Sequence, residues 1–261
     1  MSFSPMTPAC GCLSNVWQKI ALWFADLKDE FVLNFIDKDR WRFLADGLGV
    51  TLEVTFFAVL IGILIGIIVA TVRSTYEQRY RYMSKGIGKT LFAIANGICK
   101  LYLTIIRGTP VTVQIMIAYF VIFASSRAKV LVAVLAFGCN SGAYVAEIFR
   151  SGIMSVDAGQ TEAGRSLGFS YVQTMYYIVL PQAIKNVLPS LANEFIVLLK
   201  ETSVAGLIAL QDLTKGGTII RGVTYSDFMP LLAVAAIYLT IVIILEKLVS
   251  LLERRLRSSE R

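Results

Sequence analysis

The sequence predicts an all-α integral membrane protein, a bundle of five spanning helices, and three observations carry that expectation. Of 261 residues, 56% are hydrophobic and only 16% are charged, whereas soluble domains carry about 25% charged residues. Apolar runs recur that are long enough for a hydrocarbon core of about 30 Å. Basic clusters fall between those runs and indicate which connections share a side. The net charge is +7. In so apolar a chain, excess Lys and Arg mark cytoplasmic loops, and no nucleic-acid partner is expected.

Residues 1–48 form an N-terminal extension. Trp17, Ile20, Phe24, Leu27 and Phe31 recur at helical spacing among Lys19, Asp26, Lys28, Asp29 and Glu30. Such a helix lies in the membrane interface or packs against the bundle. The first apolar run begins near residue 50, too late for a signal peptide. Residues 49–72 are the clearest span, and Gly62 and Gly66 form a G-x-x-x-G that lets another helix approach closely. Residues 73–89 hold Arg73, Arg79, Arg81, Lys85 and Lys89 against Glu77 alone, a cytoplasmic loop.

Residues 90–124 are too long for one simple pass and are interrupted by Arg107-Gly108-Thr109-Pro110. Two short passes or one broken pass would fit. Two would place 151–187 opposite the basic 73–89 loop, so one pass is expected, bent at Gly108 and Pro110. The remaining spans are 128–150, 189–210 and 228–252, and the transmembrane domain is 49–252. The basic tail 253–261 is cytoplasmic and the N-terminus lies outside.

Little enzyme chemistry is available. There is no His, so the usual general base and commonest metal ligand are missing. Cys99 and Cys139 sit in apolar sequence, and Cys10-Gly11-Cys12 has no second cluster, so no metal site is expected. Gly86-Ile87-Gly88-Lys89-Thr90 fails as a phosphate loop, because Met83 stands where that pattern needs its first Gly. No catalytic residue and no cofactor are assigned to this chain.

Residues 155–181 lie between membrane-grade stretches yet cannot lie in lipid. Asp157 can cap a short helix through Leu167, which Gly168 stops by tolerating a left-handed turn. Ser170 with Gln173 is a capping box that opens a second helix. Val172, Met175, Tyr176 and Val179 give that helix an apolar face, and Pro181 is expected to break it. Two short helices with a glycine joint suit docking on a soluble partner.

At this segment the chain resembles the permease subunits of bacterial ABC importers. Their cytoplasmic signature is E-A-A, three residues, Gly, nine residues, I-x-L-P. Here it stands as Glu162-Ala163-Gly164, Gly168 and Ile178-Val179-Leu180-Pro181, with Gly in the third position in place of Ala, a change expected to loosen the first helix. "RGTPVTVQIMIAYF", "NSGAYVAEIFRSGI", "SVDAGQTEAGRSLG" and "LKETSVAGLIALQDL" are similar to the polar-amino-acid permeases of the histidine/glutamine type. The resemblance covers roughly residues 40–250 and leaves the first 30 outside it.

The resemblance implies a five-helix bundle of the type I ABC importer kind in the bacterial inner membrane. It implies that 155–181 couples to an ABC ATPase subunit, which holds ATP and Mg. It implies a second permease subunit, identical or paralogous, and an extracytoplasmic solute-binding protein that delivers an amino acid. The alternative class is a non-transporting membrane scaffold or signalling protein whose loop recruits a cytoplasmic partner.

Polar residues inside spans are costly and call for a reason. Asn140, Tyr144 and Glu147 share one helix face. Asn140 falls near mid-span beside Ser141, Gly142 and Ala143, which suits a cavity. It either lines a solute pathway or bonds a neighbouring helix, and Glu147 either joins that pathway or pairs with Arg150. Gln114 can face the same cavity. In the fourth span Asn193, Glu194, Lys200, Glu201 and Thr202 are polar, and Lys200 and Glu201, as neighbours, point in different directions. Gln114, Asn140, Tyr144, Glu147, Lys200, Glu201 and Thr202 are therefore the candidate pathway residues. Arg107 is expected to act as an interfacial anchor or to snorkel to the surface.

Overall fold

A chain in lipid has no water to bond with and must close its backbone hydrogen bonds within itself. The computed structural model describes residues 26–80 and 86–258, and these contain helix and no strand. The helices are α1 (Trp41–Arg79), α2 (Ile87–Gly108), α3 (Val111–Ile117), α4 (Lys129–Met154), α5 (Ala158–Ser166), α6 (Tyr171–Thr174), α7 (Leu180–Glu201), α8 (Leu213–Thr224) and α9 (Phe228–Ser258). A π turn at Ala118–Ile122 extends α3, another at Met175–Val179 joins α6 to α7, and a 3-10 helix at Thr202–Ile208 follows α7. By length and composition, α1, α2, α4 and α9 can each cross a membrane. α7 is as long as α2, but its polar residues keep it out of that set, so the fifth crossing is the least apolar one.

Small residues bring the central pair together. A Cβ added to Gly62 would lie 3.0 Å from Ser141 Cβ, and one on Gly66 would lie 2.7 Å from Val145 Cβ. Reciprocally, a Cβ on Gly138 would meet Ile61 Cβ at 2.9 Å and one on Gly142 would meet Ile65 Cβ at 2.9 Å. Contacts rise together along both chains, so α1 and α4 run parallel with nearly touching backbones. Around this seam Val54, Ala58, Ala133, Phe137, Ile115 and Leu198 form the main core. α7 runs antiparallel to α4: Val187 packs over Gly152, and Glu194 meets Ser141.

A second core of Phe35, Leu44, Leu213, Ile220 and Val234 seats α8 between the start of α1 and the start of α9. Gly216 rests on the carbonyl of Phe43. Asp212, only 1% exposed, caps α8 by accepting from the N–H groups of Thr214 and Lys215 at 3.1 Å each. Burial pushes the Asp212 carboxyl up, and those two donors pull it back. Thr51 Oγ1 accepts from the N–H of Leu213 at 3.1 Å, which ties α1 to the same corner.

Several expected boundaries shift. Trp17, Ile20 and Phe24 lie outside the described residues. Among the others, Leu27 is half-buried and Phe31 exposed, and the same face continues into the buried Asn34 and Phe35. α1 begins at Trp41, inside 1–48. The 90–124 region is not one bent helix. Thr109 and Pro110 are extended, at φ −123, ψ 146 and φ −64, ψ 137, and divide α2 from α3. The two still make one broken pass: Phe92 of α2 packs on Tyr76 near the end of α1, and Gln114 of α3 meets Asn140 midway along α4. The fourth span starts at Leu180, ahead of the expected 189, and its α-helix ends at Glu201.

Gly66→Ala should destabilise the bundle by about 1–3 kcal/mol, the cost of overpacking a close seam. Gly97→Ala on α2, where an added Cβ meets nothing within 4 Å, should be neutral or slightly stabilising. Thermal unfolding of the two purified variants in detergent reads the difference. Equal stability would mean that the α1–α4 seam is looser than described.

Candidate functional site

Residues 155–181 are built by local chemistry. Asp157 caps α5 by accepting from the Gly159 N–H at 2.6 Å. Gly168 then takes φ +82, a left-handed value that only Gly adopts at no steric cost. Ser170 opens α6 with both halves of a capping box: its Oγ accepts from Gln173 N–H at 3.4 Å, and Gln173 Oε1 accepts from Ser170 N–H at 2.9 Å. Gly164 lets α5 lie on the following turn. A Cβ there would meet Thr174 Cγ2 at 2.8 Å and Ile178 Cδ1 at 2.9 Å. Gly in the third signature position therefore admits a close crossing, which corrects the expectation that it loosens α5.

Pro181 does not break the second helix. The chain stays helical from Tyr171 to Glu201, with the π turn Met175–Val179 just ahead of the proline. Leu180 N–H donates to the carbonyl of Met175, one residue further back than in an α-helix. That wider winding, plus a position at the start of α7, accommodates a residue with no N–H to give.

The expected apolar face also divides. Val179 is buried, while Val172 and Tyr176 stand out. Leu167, next to the glycine joint, is also exposed, at 75%. Glu162 and Ala163 are exposed, Gly164 is buried, and Ile178 and Leu180 are half-buried.

In the membrane segment the structure joins two of the candidate pathway residues directly. Asn140 Nδ2 donates to Gln114 Oε1 at 2.9 Å, and Asn140 is 2% exposed. Gln114 Nε2 lies 2.8 Å from the carbonyl of Ile106 and 3.0 Å from that of Thr109. It satisfies carbonyls that the extended Thr109-Pro110 joint leaves without helical partners. Asn140 thus has the interhelical partner that its second reading required.

Tyr144 and Glu147 occupy one face with Arg107. Glu147 pairs with Arg150, as the i, i+3 spacing allows, and lies 3.7 Å from Arg107, whose guanidinium sits 6.0 Å from the Tyr144 ring. Arg107 is therefore tied inward by one carboxylate and one ring. Thr202 is buried, its hydroxyl donating to the carbonyl of Leu199 at 2.8 Å. Lys200 is exposed and Glu201 half-buried, one residue apart and facing apart as expected. No described contact brings Lys200, Glu201 or Thr202 to the Gln114–Asn140 pair.

One polar pair escaped the sequence. Glu194 is 9% exposed, and its Oε1 accepts from Ser141 Oγ at 2.8 Å. Each residue was visible as a polar interruption, but the pairing spans 53 positions and leaves no local signal. Tyr102 OH, donating to the Cys139 carbonyl at 2.5 Å, ties α2 to α4 in the same way.

Three comparisons bear on this geometry. The family described as "Binding-protein-dependent transport system inner membrane component" matches residues 87–258. The arginine transport system permease protein ArtQ of Bacillus subtilis is 37% identical over 166 residues, 62% of this chain and 76% of that one. The glutamine transport system permease protein GlnP of Escherichia coli is 37% identical over 168 residues, 63% of this chain and 77% of that one. A crystal structure described as an amino acid ABC transporter with histidines superposes with a TM-score of 0.72 at 41% identity, covering 82% of this chain and 94% of its own. An inward-facing structure of the MetNI methionine transporter has a TM-score of 0.69 at 17% identity over 84% of this chain and 99% of its own, a likeness of fold.

Gln114→Leu should cost more than Asn140→Leu. The first strands two carbonyls at the broken helix, at about 1–3 kcal/mol. The second removes one interhelical bond worth about 0.6 kcal/mol. Thermal stability of both variants in detergent decides, and the reverse order would reject the role of Gln114 at the break.

Proposed function

Since the chain belongs to the family of binding-protein-dependent transport system inner membrane components, we propose that it is the membrane-spanning subunit of an ATP-driven amino-acid importer. It carries the solute path and couples that path to a separate ATPase subunit, which holds ATP and Mg and hydrolyses the nucleotide. The observation that carries this reading is the unbroken helix from Tyr171 to Glu201, anchored below by α5 and the Gly168 joint. The relatives named for arginine and glutamine transport support a polar amino acid as the solute.

Coupling follows from the geometry. The ATPase engages the exposed Leu167, Val172 and Tyr176, with Glu162 and Ala163 on the exposed side of α5. Gly164 holds α5 against Thr174 and Ile178, so the two short helices move as one body. Leu180 and Pro181 pass that movement into α7, which carries Glu194 to its contact with Ser141. ATP gives direction to the solute only through its different affinity for the two conformations. A second permease subunit, identical or paralogous, completes the path, and a solute-binding protein supplies it from outside.

The basic residues of 73–89 and of the tail 253–261 support an N-terminus outside and a C-terminus in the cytoplasm. α1 and α4 run parallel, so the coupling segment after α4 shares the side of the basic stretch after α1. That side is the cytoplasmic one in this reading.

Single cysteines at Arg73, Lys85 and Gly168, in a background without native Cys, should react with an impermeant reagent only after permeabilisation. Residue 85 lies outside the described residues. Its labelling in intact cells would overturn the five-span arrangement.

Gly168→Val should uncouple transport. Its φ of +82 disfavours a β-branched residue by about 1–2 kcal/mol, although an added Cβ there would meet no atom within 4 Å. The strain falls on the joint, and no span is altered. Membrane level should be normal while ATPase stimulation by loaded binding protein falls. A well-expressed variant with full coupled uptake would remove the joint from the mechanism.

A further inference from the structure

The end of the bundle opposite the coupling segment carries an unusual concentration of backbone strain. Among the described residues, the non-glycine positions with positive φ are Lys38, Asp39, Ala209 and Tyr225. All four fall on that end. Lys129, which opens α4, donates to the carbonyl of Ala209 at 3.1 Å. α8 packs on the first turns of α1 and α9, Gly216 against Phe43 and Gly217 against Pro230. Residues held in sparsely populated conformations gather where function over-determines them.

Tyr225 stands out among these. It takes φ 57 and ψ 21 at the end of α8, a position where Gly or Asn is the usual occupant. Its side chain is 93% exposed, more than any other large hydrophobic residue described. The backbone beneath it is fixed. Tyr225 N–H donates to the Arg221 carbonyl at 3.0 Å, and the Thr224 hydroxyl donates to Oδ1 of the fully buried Asn34 at 2.7 Å. Arg221 and Asp227 flank it as an exposed ion pair at 2.7 Å. An aromatic ring framed by two exposed charges sits in water rather than in hydrocarbon, on a backbone that is held in place.

We infer that Tyr225, with Arg221 beside it, is the docking anchor for the substrate-loaded binding protein. The inference rests on the topology proposed above, which puts this end outside the cell. The family is binding-protein-dependent by description, so a soluble protein must seat on this face. The described connections there are short, 123–128, 209–212 and 225–227, and a partner must grip helix ends. Tyr and Arg are among the residues enriched at interface hot spots, and here they share one helix end whose backbone is held. The matching surface on the binding protein is an apolar recess for the ring, with a carboxylate in reach of Arg221.

The experiment uses the full transporter in liposomes with its cognate binding protein. Tyr225→Gly removes the ring and relieves the positive φ, so it should fold at least as well as the parent. Tyr225→Phe keeps the ring. The binding-protein concentration that half-stimulates ATPase activity should rise about tenfold for Tyr225→Gly and little for Tyr225→Phe, with unstimulated ATPase activity unchanged. A photo-crosslinker at 225 should capture the binding protein.

An unchanged half-stimulating concentration, or crosslinks to lipid alone, would overturn the anchor. A cysteine at 225 reports the topology separately. If an impermeant reagent reaches it only after permeabilisation, the proposed orientation is wrong and the anchor falls with it. If it is labelled from outside and docking is still unaffected, only the anchor is rejected.

Discussion

The seam between α1 and α4 is the constraint on which the rest of the bundle depends. Lipid gives helices no hydrophobic reason to associate, so they hold by close packing and by bonds between them. Gly62 and Gly66 on one side and Gly138 and Gly142 on the other bring two parallel backbones almost into contact. That proximity positions Ser141 to meet Glu194, and it leaves α2 and α3 on one flank of α4 with α7 on another. Parallel neighbours cannot be joined by a short turn. The chain must return to the starting side in between, and the broken α2–α3 pass makes that return.

The break in that pass carries its own compensation. Extended backbone at Thr109-Pro110 would strand carbonyls in a low-dielectric setting, and irregular backbone is tolerated there only when something satisfies it. Gln114 lies one turn into α3 with its amide within 3.0 Å of two of those carbonyls. Its oxygen is left free to accept from Asn140. One side chain therefore repairs the joint and locks α3 to α4. The polar residues of the pass are explained by the backbone they serve, and a solute path near them would have to share these bonds.

What was legible in the sequence was local. The capping box at Ser170 and Gln173, the cap at Asp157 and the left-handed Gly168 depend on residues within four positions of one another, and each stands where the pattern put it. The expectation of one pass over 90–124 came from charge and length rather than atomic detail, and α2 and α3 make one broken pass. The miss at Pro181 has a physical source: proline rules assume i→i+4 bonding, and the π turn at Met175–Val179 changes the count. The Ser141–Glu194 bond and the role of Gln114 at the break were out of reach, since each needs the third dimension. Val172 and Tyr176 kept a helical apolar spacing but face outward, because periodicity shows that a face is apolar and does not show whether the chain itself covers it.

The continuity of the helix through Pro181 has a mechanical consequence. A broken helix would act as a tether, able to pull on the bundle but unable to push or twist it. From Tyr171 to Glu201 the backbone is one shaft about 45 Å long at 1.5 Å per residue. A continuous helix transmits torque as well as pull, and the π turn and Pro189 are the places where it can bend. If the shaft pivots near its Tyr171 end, a tilt of about 5° sweeps the Glu201 end through roughly 4 Å. A rotation about its own axis turns Glu194 toward or away from Ser141 without any change in length. The π turn, with one residue more per turn than its neighbours, sets the angular phase between the exposed Val172 and Tyr176 and the membrane face. Inserting or deleting a single residue there would leave both ends folded and mis-time one against the other.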